Sequence, residues 1–173
     1  SPRLIQKIIA PSGREVALPT RTEPHRVMTE AEAFLTTDLL RSVVDHGTAT
    51  SAKVLRRPIA GKTGTSNQAK DAWFVGYSTE IVCGVWTGFD DATTLGAGES
   101  GGRTSLPAFI EAMKAAHQKL PVTDFPMPSG ITRVKIDPKS GLLAREGQEG
   151  AIEELFLTGT EPTEVAKETT DVE

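Results

Sequence analysis

Gly61-Lys62-Thr63-Gly64-Thr65-Ser66 decides how the rest of the sequence is read, together with the two apolar runs that follow it. Residues 59–66, 72–77 and 80–89 each carry the composition of a strand. Only Ser78-Thr79 separates the second run from the third, which fits a hairpin and makes that pair antiparallel. On the first strand, alternation puts Thr63 and Thr65 on one face and Lys62 and Gly64 on the other. Gly-Lys-Thr also ends the phosphate-binding loop G-x-x-x-x-G-K-[ST], but that loop needs glycine at position 56, where this chain has Arg56. Pro58 removes a backbone N–H the loop would use, and strand-like residues follow where a helix should. The segment reads as a strand.

Upstream, residues 3–9 and 14–18 read as two strands joined by a turn at Pro11-Ser12-Gly13, and residues 20–25 as a polar connector. Thr29 with Glu32 has the capping-box spacing. Phe34, Leu35, Leu39, Leu40 and Val43 form an apolar stripe that stops at Gly47, which predicts a helix over 29–46. Downstream, residues 90–104 form a Gly-rich loop, and Phe109, Ile110, Met113 and Ala116 predict a second helix over 106–120. Pro121, Pro126 and Pro128 then mark a linker. Residues 131–136 alternate as a strand, 137–141 turn, and 154–158 offer a last strand. This order predicts an α+β fold with an antiparallel sheet, packed helices and a small β-rich appendage.

Charge and composition narrow the function. The chain of 173 residues carries a net charge of −4, all of it contributed by residues 158–173. No Lys/Arg cluster offers a nucleic-acid footprint, so no nucleic-acid partner is expected. The acidic tail has almost no large apolar residues and is expected to stay solvated and disordered. The longest uncharged apolar stretch, residues 81–89, is too short to span a bilayer, and no basic-then-apolar leader opens the sequence. A membrane link is therefore expected only through an anchor outside these residues. One cysteine, Cys83, cannot close an intrachain disulfide and reads as a small buried hydrophobe. No Cys/His group has metal-ligand spacing, and no cofactor is expected.

The chemistry sits in Lys62-Thr63-Gly64. K-T-G is one of the motifs of serine acyl-transferases that handle penicillin, alongside S-x-x-K and an S-x-N element. On a strand, two hydroxyls two residues apart can hold a substrate carboxylate while an ammonium supplies the counter-charge. Gly64 leaves clearance for another backbone, and the Thr65 N–H can face a developing oxyanion. The surrounding series is far more specific than the tripeptide. It comprises Gly47-Thr48-Ala49, residues 61–66, residues 70–77 and Val85-Trp86-Thr87-Gly88-Phe89-Asp90-Asp91. Ser100-Gly101-Gly102, residues 106–113, Glu153-Glu154-Leu155-Phe156 and residues 159–163 continue it. In that order the chain resembles a class A, bifunctional penicillin-binding protein over most of residues 1–163. One departure stands out: none of the ten serines is followed three places later by lysine, and no S-x-N occurs.

The resemblance implies the C-terminal part of a D,D-transpeptidase domain over 1–120, a β-rich extension over 121–157 and the acidic tail over 158–173. It implies a protein that cross-links peptidoglycan stem peptides by serine acyl transfer and is acylated by β-lactam antibiotics, on the periplasmic side of the inner membrane. Lys62 and Thr65 would be its catalytic residues here, and Lys62, Thr63, Gly64 and Thr65 its substrate-binding ones. The nucleophile-bearing half of the domain would be a partner, a glycosyltransferase would lie further upstream, and this chain alone is expected to be inactive. Two other classes remain open: a non-catalytic scaffold that binds peptidoglycan or partner proteins, and a β-lactamase-like hydrolase, against which the long appendage weighs. Trp73 and Trp86 read as core packing, with a site-edge place as the alternative for Trp73. His25, His46 and His117 read as surface or helix-end residues, and Glu99 and Arg103 as solvated flanks of the Gly loop, with a place at the rim of the site as the alternative.

Overall fold

Helix α1, Glu30–Asp45, begins at the Thr29 cap that the sequence marks. The Thr29 hydroxyl accepts from the Glu32 amide at 3.2 Å, and the Glu32 carboxylate accepts from the Thr29 N–H at 2.7 Å. These Thr29 bonds hold the Glu32 carboxyl below its ordinary range. The structure, a computed structural model, describes residues 5–18 and 24–167. Strands β1, Ile8–Ile9, and β2, Glu15–Val16, pair antiparallel and are shorter than the sequence suggests. The start of the first expected strand and most of the polar connector lie outside the described residues.

The central sheet has the order β3-β4-β5, all antiparallel, with β3 at Ala60–Thr65, β4 at Asp71–Tyr77 and β5 at Val82–Gly88. Its register sets Lys62 opposite Val75, Gly64 opposite Trp73, and Trp73 opposite Trp86. Helix α2, Leu106–Ala116, packs on one face of the sheet and ends a turn earlier than its apolar spacing suggests. Phe74, Leu106, Phe109 and Met113 are buried there with Val44, Ala49, Ala52 and Ile59. Burying each large apolar side chain contributes about 1.5–3 kcal/mol. The Phe74 and Phe109 rings meet edge-on, 4.6 Å apart. They fill a slot that glycine leaves open: a Cβ on Gly61 would fall 2.8 Å from Phe74 Cζ, and one on Gly76 would fall 2.9 Å from Phe109 Cζ.

This packing corrects two readings of the aromatic and histidine residues. Trp73 and Trp86 are not core: they lie on the opposite face, 46% and 43% exposed, with ring centroids 6.4 Å apart. The buried phase of β4 belongs to Ala72, Phe74 and Gly76, so alternation sends Trp73 and Val75 outward. His117 does end α2, but it is only 5% exposed. Its Nε2 lies 2.8 Å from Ser78 Oγ and its Nδ1 2.8 Å from the Met113 carbonyl oxygen. Cys83 is half-buried against the core, and burial pushes its thiol pKa up.

Beyond α2, Phe125 pins the proline-rich linker. Its ring meets Tyr77 edge-on at 5.8 Å and lies under the Arg41 guanidinium, while Arg41 pairs with Asp124 at 3.2 Å. Strands β6, Ile131–Ile136, and β7, Ile152–Leu157, then pair antiparallel as a separate hairpin. The first part of the acidic tail is not loose. Leu143 bridges Val165 in parallel, its N–H donating to the Glu164 carbonyl oxygen, and Ala166 is buried. Backbone bonding holds this segment despite its composition; residues 168–173 lie outside the described residues.

Candidate functional site

Strand β3 carries the four candidate residues, and a tight hairpin turn aims it. Gln68 and Ala69 both have positive φ, 63° and 49°, a region that costs non-glycine residues energy. The turn is clasped from outside, where Thr94 Oγ1 donates to the Gln68 carbonyl oxygen at 2.7 Å and the Leu95 N–H to that of Ala69 at 2.8 Å. Lys62 is exposed and bends back along its own strand. Its Nζ donates to the Thr63 carbonyl oxygen at 3.0 Å and to Thr63 Oγ1 at 3.3 Å. The Thr63 hydroxyl is also 3.0 Å from Thr48 Oγ1. Thr65 Oγ1 accepts from the Gly101 N–H at 3.1 Å.

The second wall comes from the loop that leads into α2. Residues Gly101–Ser105 form one π-helical turn, anchored by Ser105 Oγ donating to the Ala72 carbonyl oxygen at 2.8 Å. Between the walls lies a cleft of about 460 Å³, lined by Thr48, Thr63 and Thr65 on one side and Gly98, Ser100, Gly102 and Arg103 on the other. Among the described residues its lining is rich in hydroxyls and carries one cation, Arg103.

The four candidates do not stand alike. Thr63 and Thr65 face the cleft; Lys62 touches Thr63 from outside the lining. Among the described residues the tightest backbone approach is made by Gly101 against Gly64 and Trp73. A Cβ on Gly64 would meet only Trp73 side-chain carbons, the nearer at 3.3 Å, whereas one on Gly101 would fall 2.1 Å from the Trp73 carbonyl oxygen and 2.7 Å from that of Gly64. Gly101 thus brings its backbone against β3 at Gly64. Sequence reasoning left out Thr48 and Ser100 as lining residues and gave Arg103 a place at the rim only as the alternative to solvation. The Gly101-Gly102 pair ahead of a helix was the available signal. Other shifted groups lie outside this lining: hydrogen bonds lower Glu80, Asp91 and Asp137, and burial raises Asp38. Among the described residues no group of three metal-ligating side chains converges, and no helix is long and apolar enough to cross a membrane.

A hydroxyl-lined cleft beside a K-T-G strand, on an antiparallel sheet backed by a helix, defines a class. Residues 1–113 match the family model described as the penicillin-binding protein transpeptidase domain, and residues 127–170 match that of the penicillin-binding protein 1A C-terminal domain. The chain belongs to the penicillin-binding protein transpeptidase family.

Among its relatives is penicillin-binding protein 1A of Aquifex aeolicus, 44% identical over 93% of this chain and 22% of its own length. Penicillin-binding protein 1A of Vibrio cholerae is 40% identical, covering 83% of this chain and 20% of the relative. The crystal structure of penicillin-binding protein 1A from Haemophilus influenzae superposes with a TM-score of 0.75 at 35% identity, over 82% of this chain and 22% of that one. The chain thus spans about a fifth of the length of the relatives it matches.

Proposed function

We propose that this chain supplies the K-T-G wall of a serine D,D-transpeptidase that cross-links peptidoglycan stem peptides, and that β-lactams acylate the same site. A serine hydroxyl attacks the carbonyl of the penultimate D-alanine, and the terminal D-alanine leaves with the proton. An amine of a neighbouring stem then attacks the acyl-enzyme, releasing the serine and forming the cross-link. The observation that carries this reading is the alignment of the Thr63 and Thr65 hydroxyls on one side of the cleft, with Lys62 Nζ held at Thr63. Two hydroxyls suit the terminal carboxylate, and Lys62 supplies positive field and fixes Thr63. The Thr65 backbone N–H faces the developing oxyanion.

The nucleophile belongs to residues outside this sequence, which contains no S-x-x-K. These 173 residues alone therefore form no acyl-enzyme. In the same reading residues 1–120 belong to the transpeptidase domain, with the site on the outer side of the cytoplasmic membrane. The second-order acylation rate by a fluorescent penicillin, measured on the protein that carries this chain with its nucleophile-bearing half, tests the reading. Lys62→Ala should slow acylation by about 2–3 kcal/mol, roughly 30- to 150-fold. Thr63→Val keeps the shape and removes one hydroxyl, costing about 1 kcal/mol. Should Lys62→Ala acylate as fast as wild type, β3 is not a substrate wall and the scaffold reading replaces this one.

A further inference from the structure

We propose that Arg103 is the specificity-determining residue for the anionic end of the substrate, the cation that meets the carboxylate inside the cleft. The assignment rests on the proposed function above and changes which residue provides the counter-charge. Among the described residues two cations lie near the cleft, and the structure separates them. Lys62 Nζ is bonded to the carbonyl oxygen and hydroxyl of Thr63 and does not line the cleft. Arg103 does line it, facing the same space as Thr63 and Thr65.

Three features hold the guanidinium ready. Arg103 Nη1 donates to the Gly98 carbonyl oxygen at 3.3 Å, which tethers the side chain along the wall. Among the described residues no carboxylate forms an ion pair with it. The nearest candidate in sequence, Glu99, instead accepts from Thr104 Oγ1 at 2.6 Å. The backbone under Arg103 is fixed as well, because its N–H donates to the Ser100 carbonyl oxygen at 3.0 Å while Gly101, two residues earlier, is bonded to Thr65 Oγ1. The hydroxyls and the guanidinium are thus parts of one bonded unit. Arginine presents a planar fork of N–H donors that matches a carboxylate two bonds at a time, a geometry no lysine ammonium offers. With one bond spent on Gly98, donors remain for an incoming carboxylate.

A ligand that lacks the charge tests this directly. Acylation of the protein carrying this chain is measured with benzylpenicillin and with its C3 carboxamide, in wild type, Arg103→Gln and Arg103→Lys. Arg103→Gln should slow the acid roughly 10- to 100-fold, the range of a lost hydrogen bond to a charged group, and leave the carboxamide within about twofold. Arg103→Lys should recover part of the rate with the acid only. Equal losses on both probes would mean that Arg103 merely supports the loop, and an unchanged rate with the acid would place the counter-charge elsewhere; either overturns the assignment while the proposed function stands. If wild type takes neither probe, the proposed function fails and this assignment with it.

Discussion

Replacing Gly101 by alanine probes the contact that joins the two walls. The added Cβ would fall 2.1 Å from the Trp73 carbonyl oxygen, 2.7 Å from that of Gly64 and 3.1 Å from the Gly64 nitrogen, all backbone atoms of a paired hairpin. No side chain can rotate away. The turn has to retreat by about 1 Å to reach ordinary contact. That movement stretches the bond from the Gly101 N–H to Thr65 Oγ1, now 3.1 Å, beyond hydrogen-bonding range. Overpacking of this kind costs about 1–3 kcal/mol and the lost bond about 1 kcal/mol. The stiffer unfolded chain returns about 0.5 kcal/mol, leaving a net loss of about 1.5–3.5 kcal/mol. Urea titration of the protein carrying this chain measures it, with Gly84→Ala as the control. A Cβ on Gly84 meets only Val75 Cγ2, at 3.7 Å, so that variant should be neutral or gain about 0.5 kcal/mol. Acylation by a fluorescent penicillin should fall about 5- to 30-fold in Gly101→Ala as the Thr65 hydroxyl loses its fixed direction. If Gly101→Ala unfolds and acylates like Gly84→Ala, the joined-wall argument is wrong.

Three further outcomes are expected. Thr29→Ala should cost about 1 kcal/mol by opening the capping box. Because the Thr29 bonds depress Glu32 below its ordinary 4.5, their contribution is present above that pH and is lost as pH falls through the folded value. Wild-type stability, followed by circular dichroism, should accordingly fall more steeply on acidification than that of Thr29→Ala. Phe125→Ala removes the ring between Tyr77 and Arg41, so limited proteolysis should cut residues 121–128 faster than in wild type; equal rates would show that the ring does not pin the linker. The isolated 173-residue chain exposes Trp73, Val75, Val82 and Trp86 on one sheet face, so it should bind a hydrophobic dye and aggregate. A cooperative, dye-free melt would contradict that expectation.

The elements best read from sequence were those whose signal is local. The Thr29–Glu32 cap, the short gap at Ser78-Thr79 and the alternation of residues 131–136 each act within a few residues, and each element is present. Thr63 and Thr65 were legible as a pair for the same reason. What stayed hidden depends on distant partners. Alternation divides β4 into two faces, but size alone suggests burying Trp73. The structure buries Ala72 and Gly76 instead, because the Phe109 ring from α2 occupies the space beside Phe74. Gly64 looked like the required glycine because it lies inside the motif, while the close approach is made by Gly101, 37 residues later in the chain. Arg103 read as a solvated flank, and it is exposed, but its place in the cleft lining depends on folding that brings its loop across β3. The bridge from Leu143 to Val165 likewise leaves no compositional trace in an acidic tail.

The slot formed by Gly61 and Gly76 around the Phe74 and Phe109 rings works as a gauge between the paired strands β3 and β4 and helix α2. Rings in near-contact with the backbone leave no slack, so the spacing of the β3–β4 pair from the helix is set by two benzene rings meeting edge-on. A bulkier residue at either glycine lifts the pair, and a smaller one at either ring lets it sink. Drift in the proposed substrate wall would therefore originate beneath it, at residues outside the cleft lining. Such mutations could detune the wall while leaving every cleft-lining residue unchanged.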